Sequence, residues 1–193
     1  GDVDLGWMCA TAFVALESVA LIEAAWIPSH PASAGKPQYF SNLFMANEQP
    51  STLLELKGLR IGCNDPLSLS GYHALRIAIQ ELGCEFDDFL NVEFTGGHLR
   101  SIKALEAGTV DAIVVDSITA SVEKPLLIPA QRLGPWPTQP LVASASMEPK
   151  LRARIRDALL CAGLDQGLGD TLRSSGIQGF GAVSMKTYEK LID

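Results

Sequence analysis

The stretch Asn64-Asp65-Pro66-Leu67-Ser68-Leu69-Ser70-Gly71-Tyr72 sets two hydroxyls and a glycine directly before a strongly periodic run. Leu75, Ala78, Ile79 and Leu82 recur at i, i+3, i+4 and i+7, one apolar face, and Gly83 closes the pattern. The spacing predicts a helix over 70–82, with Ser70 as its N-cap and Gly71 and Tyr72 in its first turn. A first turn leaves backbone N–H groups unpaired and carries the positive end of the helix macrodipole. Hydroxyls gathered there do one of two things: they cap the helix, or they cradle an anion. His98, which follows Gly96-Gly97, and Asp116, which ends an apolar run, are the other polar groups whose placement invites chemistry. A strand-end Asp often caps the next turn, and a lone His often sits at a surface or cap, so each has an ordinary reading beside the ligand one. A neutral imidazole can donate one hydrogen bond, and an adjacent anion would favour its protonated form.

These groups are placed by alternating elements. Leu53 to Lys57 reads as a helical turn, 58–63 as a strand, 84–90 as a loop and 91–95 as a second strand. A helix over 99–107 follows, marked by Leu99, Ile102 and Leu105, with Gly108 at its C′ position. Val110 to Val115 is apolar and β-branched, as in a buried strand of a parallel sheet. This βαβαβ rhythm predicts a layered α/β lobe with right-handed crossovers. In such lobes ligands sit at the C-terminal ends of the strands, where Ser68 and Ser70, His98, and Asp116 with Ser117 collect. Two extended stretches flank the lobe, Gln38 to Asn47 and Leu126 to Ala143; the prolines of the second exclude a helix or a central strand. Helices are expected over Pro149 to Leu160 and near Leu168 to Arg173, packing on the first lobe. The expected architecture is two lobes joined by two strands around a cleft: 1–47 plus 133–193, and 48–132.

With 193 residues, 47% hydrophobic and 19% charged, the chain has the composition of an ordinary globular protein. A net charge of −7 with no basic run argues against a nucleic-acid partner, while leaving room for a locally built anion site. Trp7 to Ile27 is apolar, but Glu17, Glu23 and Pro28 interrupt it, so it reads as core rather than a membrane span. Cys9, Cys63, Cys84 and Cys161 are scattered without metal-ligand spacing, so neither a metal nor a cofactor is expected. No signal peptide is read in the chain. Gly1-Asp2-Val3-Asp4-Leu5-Gly6-Trp7 parallels Gly108-Thr109-Val110-Asp111-Ala112-Ile113-Val114, which follows a helix. The first lobe is therefore expected to begin in mid-fold, and a homodimer would cover the edge so exposed.

The segments GDVDLGWMCA, PQYFSNLF, NDPLSLSGY, FTGGH, VDAIVVDS and GFGAVSMKTYEKL occur in this order over nearly the whole chain. Together they resemble the phosphate/phosphonate-binding proteins of ABC importers. The resemblance implies an α/β fold of the two-lobed type II periplasmic-binding-protein kind. It would have parallel-type sheets with flanking helices, here with the first lobe truncated at its N-terminus. It implies capture of a small phosphonate- or phosphate-like oxyanion between the lobes, delivery to an ABC permease, and a periplasmic or membrane-anchored extracytoplasmic location. By position it carries anion contact to Ser68, Ser70, Gly71 and Tyr72 at the turn, and to His98 after the next strand. Tyr39 matches a tyrosine of the cleft, Trp7 is read as a cleft wall or a core aromatic, and Asp116 lies near where acidic groups meet an amino-bearing ligand. Leu69 stands where the better-known aminophosphonate binders have threonine.

Two other classes remain as alternatives. The same lobes serve as ligand-sensing effector domains, and enzymes of this fold exist among pyrimidine-synthesis proteins. Ser70, His98 and Asp116 could be imagined as a triad, yet SLSGY is not a nucleophile elbow, because Leu67 stands where that motif needs glycine.

Overall fold

A computed structural model describes residues 4–16, 18–46, 52–123, 128–189 and 191. In chain order the elements are β1 (Leu5–Trp7), α1 (Ala10–Val14), β2 (Val19–Pro28), β3 (Gln38–Met45), β4 (Arg60–Cys63), α2 (Ala74–Glu81), α3 (Phe86–Phe89) and β5 (Asn91–Phe94). They continue as α4 (His98–Glu106), β6 (Ala112–Asp116), α5 (Ser117–Glu123), β7 (Gln131–Pro137), β8 (Pro140–Ser144), α6 (Pro149–Ala162), α7 (Gln166–Ser174), β9 (Ile177–Ala182) and α8 (Met185–Glu189).

The chain divides into two compact units, Phe40–Trp136 and Gly1–Tyr39 with Pro137–Asp193. The division therefore falls at 39/40 and 136/137 rather than at the expected 47/48 and 132/133. The reason is pairing: β3 lies antiparallel to β6 from Ser41 to Met45, and β7 flanks β3 in the same sheet. Most of both crossings thus belongs to the inserted unit. Asn47, the Leu126–Leu127 start of the second crossing, and the Gly1–Val3 half of the repeated GDVDLGW pattern lie outside the described residues.

The inserted unit is a five-stranded mixed sheet in the order β5-β4-β6-β3-β7. β4 runs parallel to both β5 and β6, which realises the expected βαβαβ rhythm. Along β6, Ala112 to Val115 are all buried, because alternate side chains meet different layers. Ala112 and Val114 join Leu43, Ile61, Leu75, Ile79 and Phe86 on one side. Ile113 and Val115 join Phe44, Ile102 of α4 and Ala120 of α5 on the other. β7, with two of the prolines of the second crossing, is the edge strand, where a missing N–H disturbs least.

The other unit corrects an expectation. Its sheet, β1-β8-β2-β9, is antiparallel at every described pairing rather than parallel-type. β8 reaches back more than a hundred residues to lie between β1 and β2, which a local reading of alternating elements could not show. Ile22, Ala24, Leu141 and Ala143 form its buried face, packed by Ile155, Leu159 and Leu160 of α6. Of the Trp7 to Ile27 run expected to be core, Phe13, Ile22, Ala24 and Ala25 are buried, while Trp7 and Leu16 are exposed. Tyr188 of α8 is fully buried, donates to the Thr138 carbonyl at 3.2 Å, and meets Phe13 edge-on. All four cysteines are free thiols, with Cys63 buried and Cys161 exposed. Among the described residues no helix is long and apolar enough to cross a membrane, and no acidic, His or Cys cluster could hold a metal.

The helical face proposed from periodicity is real at Leu75 and Ile79, both fully buried, but Leu82 is 47% exposed because α2 ends at Glu81. Leu75→Ala should therefore cost about 2–5 kcal/mol of unfolding free energy in urea titration, and Leu82→Ala less than about 0.5 kcal/mol. Equal losses for the two variants would refute this packing.

Candidate functional site

The SLSG turn differs from its expected form by one residue pair. The cap is Ser68, not Ser70: its Oγ accepts the Gly71 N–H at 3.1 Å. The helix starts earlier because Leu69–His73 form a single wide π turn before α2. The His73 N–H reaches the Ser68 carbonyl at 3.0 Å, five residues back. With Ser68 occupied as the cap acceptor, Ser70 falls inside the first turn, and its Oγ is released for another partner.

Asn64, at the end of β4, explains the turn's shape. Its N–H donates to the Gly71 carbonyl at 3.0 Å, and its Nδ2 donates to Ser68 Oγ at 3.3 Å. Its carbonyl accepts the Gly96 N–H at 2.8 Å, and its Oδ1 accepts from Ser101 Oγ at 3.4 Å. The amide lies so close to Gly71 that a Cβ there would sit 2.6 Å from Asn64 Nδ2, which is why position 71 is glycine. Thr95 Oγ1 adds contacts to the Cys63 carbonyl at 2.9 Å and Ser101 Oγ at 2.6 Å. From β3, Ser41 Oγ donates to the Ser70 carbonyl. These buried polar groups are paired, as burial demands, and they lock the SLSG and GGH turns to each other.

His98 opens α4 directly after Gly97, whose φ of 154° together with the φ of 84° at Gly96 makes the sharp entry. Its Nε2 lies 3.3 Å from Ser70 Oγ and 3.2 Å from Asp116 Oδ2. Asp116 ends β6 and caps α5, its Oδ1 accepting the N–H groups of Ile118 at 3.0 Å and Thr119 at 2.8 Å. So the ordinary capping reading of Asp116 holds, and its second oxygen is left to face His98. Burial pushes the His98 imidazole below its ordinary 6.5, against the opposing pull of the Asp116 and Asp65 carboxylates. Its Nδ1 is buried with no hydrogen-bond partner. The resting imidazole is thus neutral, with its one proton on Nε2.

The structure brings Ser68, Ser70, Gly71, His98 and Asp116 together at the C-terminal ends of β4, β5 and β6. Tyr72 turns away into an aromatic cluster with Phe86, Phe94 and His73. Tyr39 and Trp7 belong to the other unit. There Tyr39 is 3% exposed, and Trp7 is 50% exposed and stacks on Phe180 with the rings 7° from parallel. Asn64, Ser41 and Ser101 were not singled out from sequence. Asn64 alone left a signal, a polar residue closing an apolar strand seven positions before a glycine. Beside His98 a groove of about 630 Å³ runs between α4 and α5, walled by Leu99, Ile118 and Val122, with Thr119, Arg100 and Glu123 at its rim.

No curated protein matches the chain in sequence. PhnD1 from Prochlorococcus marinus, solved in complex with methylphosphonate, is similar in structure: TM-score 0.78, 16% identity, 98% of this chain and 76% of that one. A binding protein component of an ABC phosphonate transporter from Pseudomonas aeruginosa gives 0.71 at 19% identity, over 96% and 65%. The periplasmic aliphatic sulphonate binding protein SsuA from Escherichia coli gives 0.63 at 18% identity, over 100% and 58%. These likenesses establish the two-lobed binding-protein fold. The family described as "ABC transporter, phosphonate, periplasmic substrate-binding protein" matches residues 1–188, and the chain belongs to that family.

Proposed function

We propose that this chain captures a tetrahedral oxyanion of the phosphonate or phosphate class at the SLSG turn, for delivery to the permease of an ABC importer outside the cytoplasm. The observation that carries this reading is the convergence of Ser70 Oγ and His98 Nε2, 3.3 Å apart, at the start of a helix beside Gly71. Two donors on different turns, both held by Asn64, meet where helix N–H groups and dipole favour negative charge. The Ser68 hydroxyl keeps its own proton to donate, since the cap uses only its oxygen as acceptor. Membership of a periplasmic substrate-binding family supports an extracytoplasmic location, periplasmic or membrane-anchored. A homodimer forms no part of the proposal.

Binding rather than catalysis is also what the histidine geometry favours. A serine–histidine–carboxylate relay needs the two ring nitrogens to face the serine and the acid separately. Here Ser70 and Asp116 both approach Nε2, while Nδ1 has no partner. The ring cannot take a proton from Ser70 at Nε2 while it donates from Nε2 to Asp116.

Two measurements test the site. Methylphosphonate, phosphate or phosphite at 100 times its Kd should raise the unfolding free energy by about 2.7 kcal/mol in a thermal-shift titration. Ser70→Ala and His98→Ala should each weaken that ligand by about 1.5–3 kcal/mol, roughly 10- to 150-fold in Kd, because each removes a donor to an anion. A cooperatively melting protein that no oxyanion shifts would sink the reading.

The second is a pH titration of stability. His98 and His73 both sit below 6.5 in the folded state, chiefly through burial, so the unfolded chain takes up their protons first. Their contribution is complete above pH 6.5 and is lost as pH falls below it toward the folded values. The urea midpoint should therefore drop as the pH is lowered below 6.5, and His98→Gln should flatten part of that slope. An unchanged slope in His98→Gln would show that the imidazole is not held neutral.

A further inference from the structure

We infer that the groove between α4 and α5 is a subsite for an aliphatic chain carried on the phosphorus of the bound oxyanion. An alkyl-bearing anion then binds more tightly than its methyl counterpart; this deepens, and rests on, the oxyanion reading of the SLSG turn. The two positions are continuous through one side chain. His98 puts Nε2 3.3 Å from Ser70 Oγ, and it also lines the groove, together with the bare backbone of Gly96 and Gly97. A Cβ built on Gly97 would meet nothing within 4 Å, so the head of the groove is open.

The walls beyond that point are aliphatic in a pattern the core does not require. Leu99 stands three residues before Ile102 on one face of α4, and Ile118 four residues before Val122 on one face of α5. Ile102 is buried with Val115 and Ala120, while Leu99 is 51% and Val122 73% exposed. The apolar stripes thus run past the core they pack and leave their outer ends open along one groove. Single exposed apolar side chains are ordinary. Two that wall a groove adjoining a ligand site are different, because an apolar group laid there removes both from water. No Phe, Tyr or Trp lines the groove among the described residues, so the matching group is alkyl rather than aryl.

Size and charge narrow the occupant. At about 630 Å³ the groove lies within the range of small-molecule sites, about 300–1,000 Å³, and a methyl group fills little of it. From Ser117 to Val122 is about 7.5 Å of helix at 1.5 Å per residue, a length that a chain of several carbons spans. Arg100 lies back at the head, its Nη1 2.8 Å from where a Cβ on Gly96 would sit, and Glu123 follows Val122 at the foot. A cation at the head suits a ligand whose anion is there, and a carboxylate at the foot repels a second anion. The chain therefore ends neutral and apolar.

The test is isothermal titration calorimetry at constant pH and ionic strength with methyl-, ethyl-, propyl- and butylphosphonate, 3-hydroxypropylphosphonate, and methyl and butyl phosphate. Each added methylene should tighten binding about 2- to 4-fold, the upper figure being full burial, so butyl should exceed methyl about 10- to 60-fold. 3-Hydroxypropylphosphonate, which matches butyl in length, should lose most of that gain. Whichever class shows the gain, phosphonate or phosphate ester, is the ligand's, and a gain in neither overturns this inference alone. Val122→Asp alters an exposed side chain and should cut the butyl-over-methyl ratio at least about 5-fold, with the shape-conserving Val122→Thr moving it the same way. Taking the ratio cancels the effect of the new charge on the head. A gain that neither variant reduces places the chain elsewhere and overturns the assignment. So does a dimer in sedimentation velocity that Val122→Asp dissolves, since a second copy then fills the groove. A folded protein that binds none of these anions overturns the oxyanion reading and the inference with it.

Discussion

The site depends on a buried side-chain amide. Asn64 spends both its backbone groups and both ends of its side chain on tying the end of β4 to the turns that follow β4 and β5. An amide suits this place because it donates and accepts at once without bringing charge into a core where charge is costly. Its closeness dictates glycine at 71, and its bond to Ser68 orients the hydroxyl that caps the helix. Remove it and several buried donors and acceptors lose partners together, so the network stands or falls as a unit.

On that scaffold the electrostatics are unusual for an anion site. The side chains that meet at its centre are a serine, a neutral histidine and a carboxylate. Attraction for the ligand must come from backbone dipoles and hydroxyls, and these act at short range with strict geometry. This fits a chain whose overall charge is −7, where long-range steering of an anion by net charge is unfavourable.

Much of the inserted unit was legible in the sequence, because its strands are compact β-branched runs and its helices carry periodic apolar faces. Ser68, Ser70, Gly71, His98 and Asp116 share one sheet edge because βαβ units put every such turn on the same side. What escaped was set by tertiary closeness. The wide π turn moved the cap from Ser70 to Ser68, and nothing in SLSG distinguishes the two registers. Tyr72 follows the serines in sequence, but the helix rotates it into an aromatic cluster. Ser41 lies on a strand where a serine reads as unremarkable, and only the folded chain brings it to Ser70.

The position of β8 has a consequence for how the chain acquires its structure. Residues 40–136 are contiguous, so every strand of their sheet exists once β7 ends at Pro137. The other sheet cannot close so early, because β1 and β2 are separated by a strand that ends at Ser144. Until then β1 lacks its described neighbour, and β2 waits longer still for β9. On a growing chain the strands of the inserted sheet are therefore all present before the described partners of β1 and β2 are.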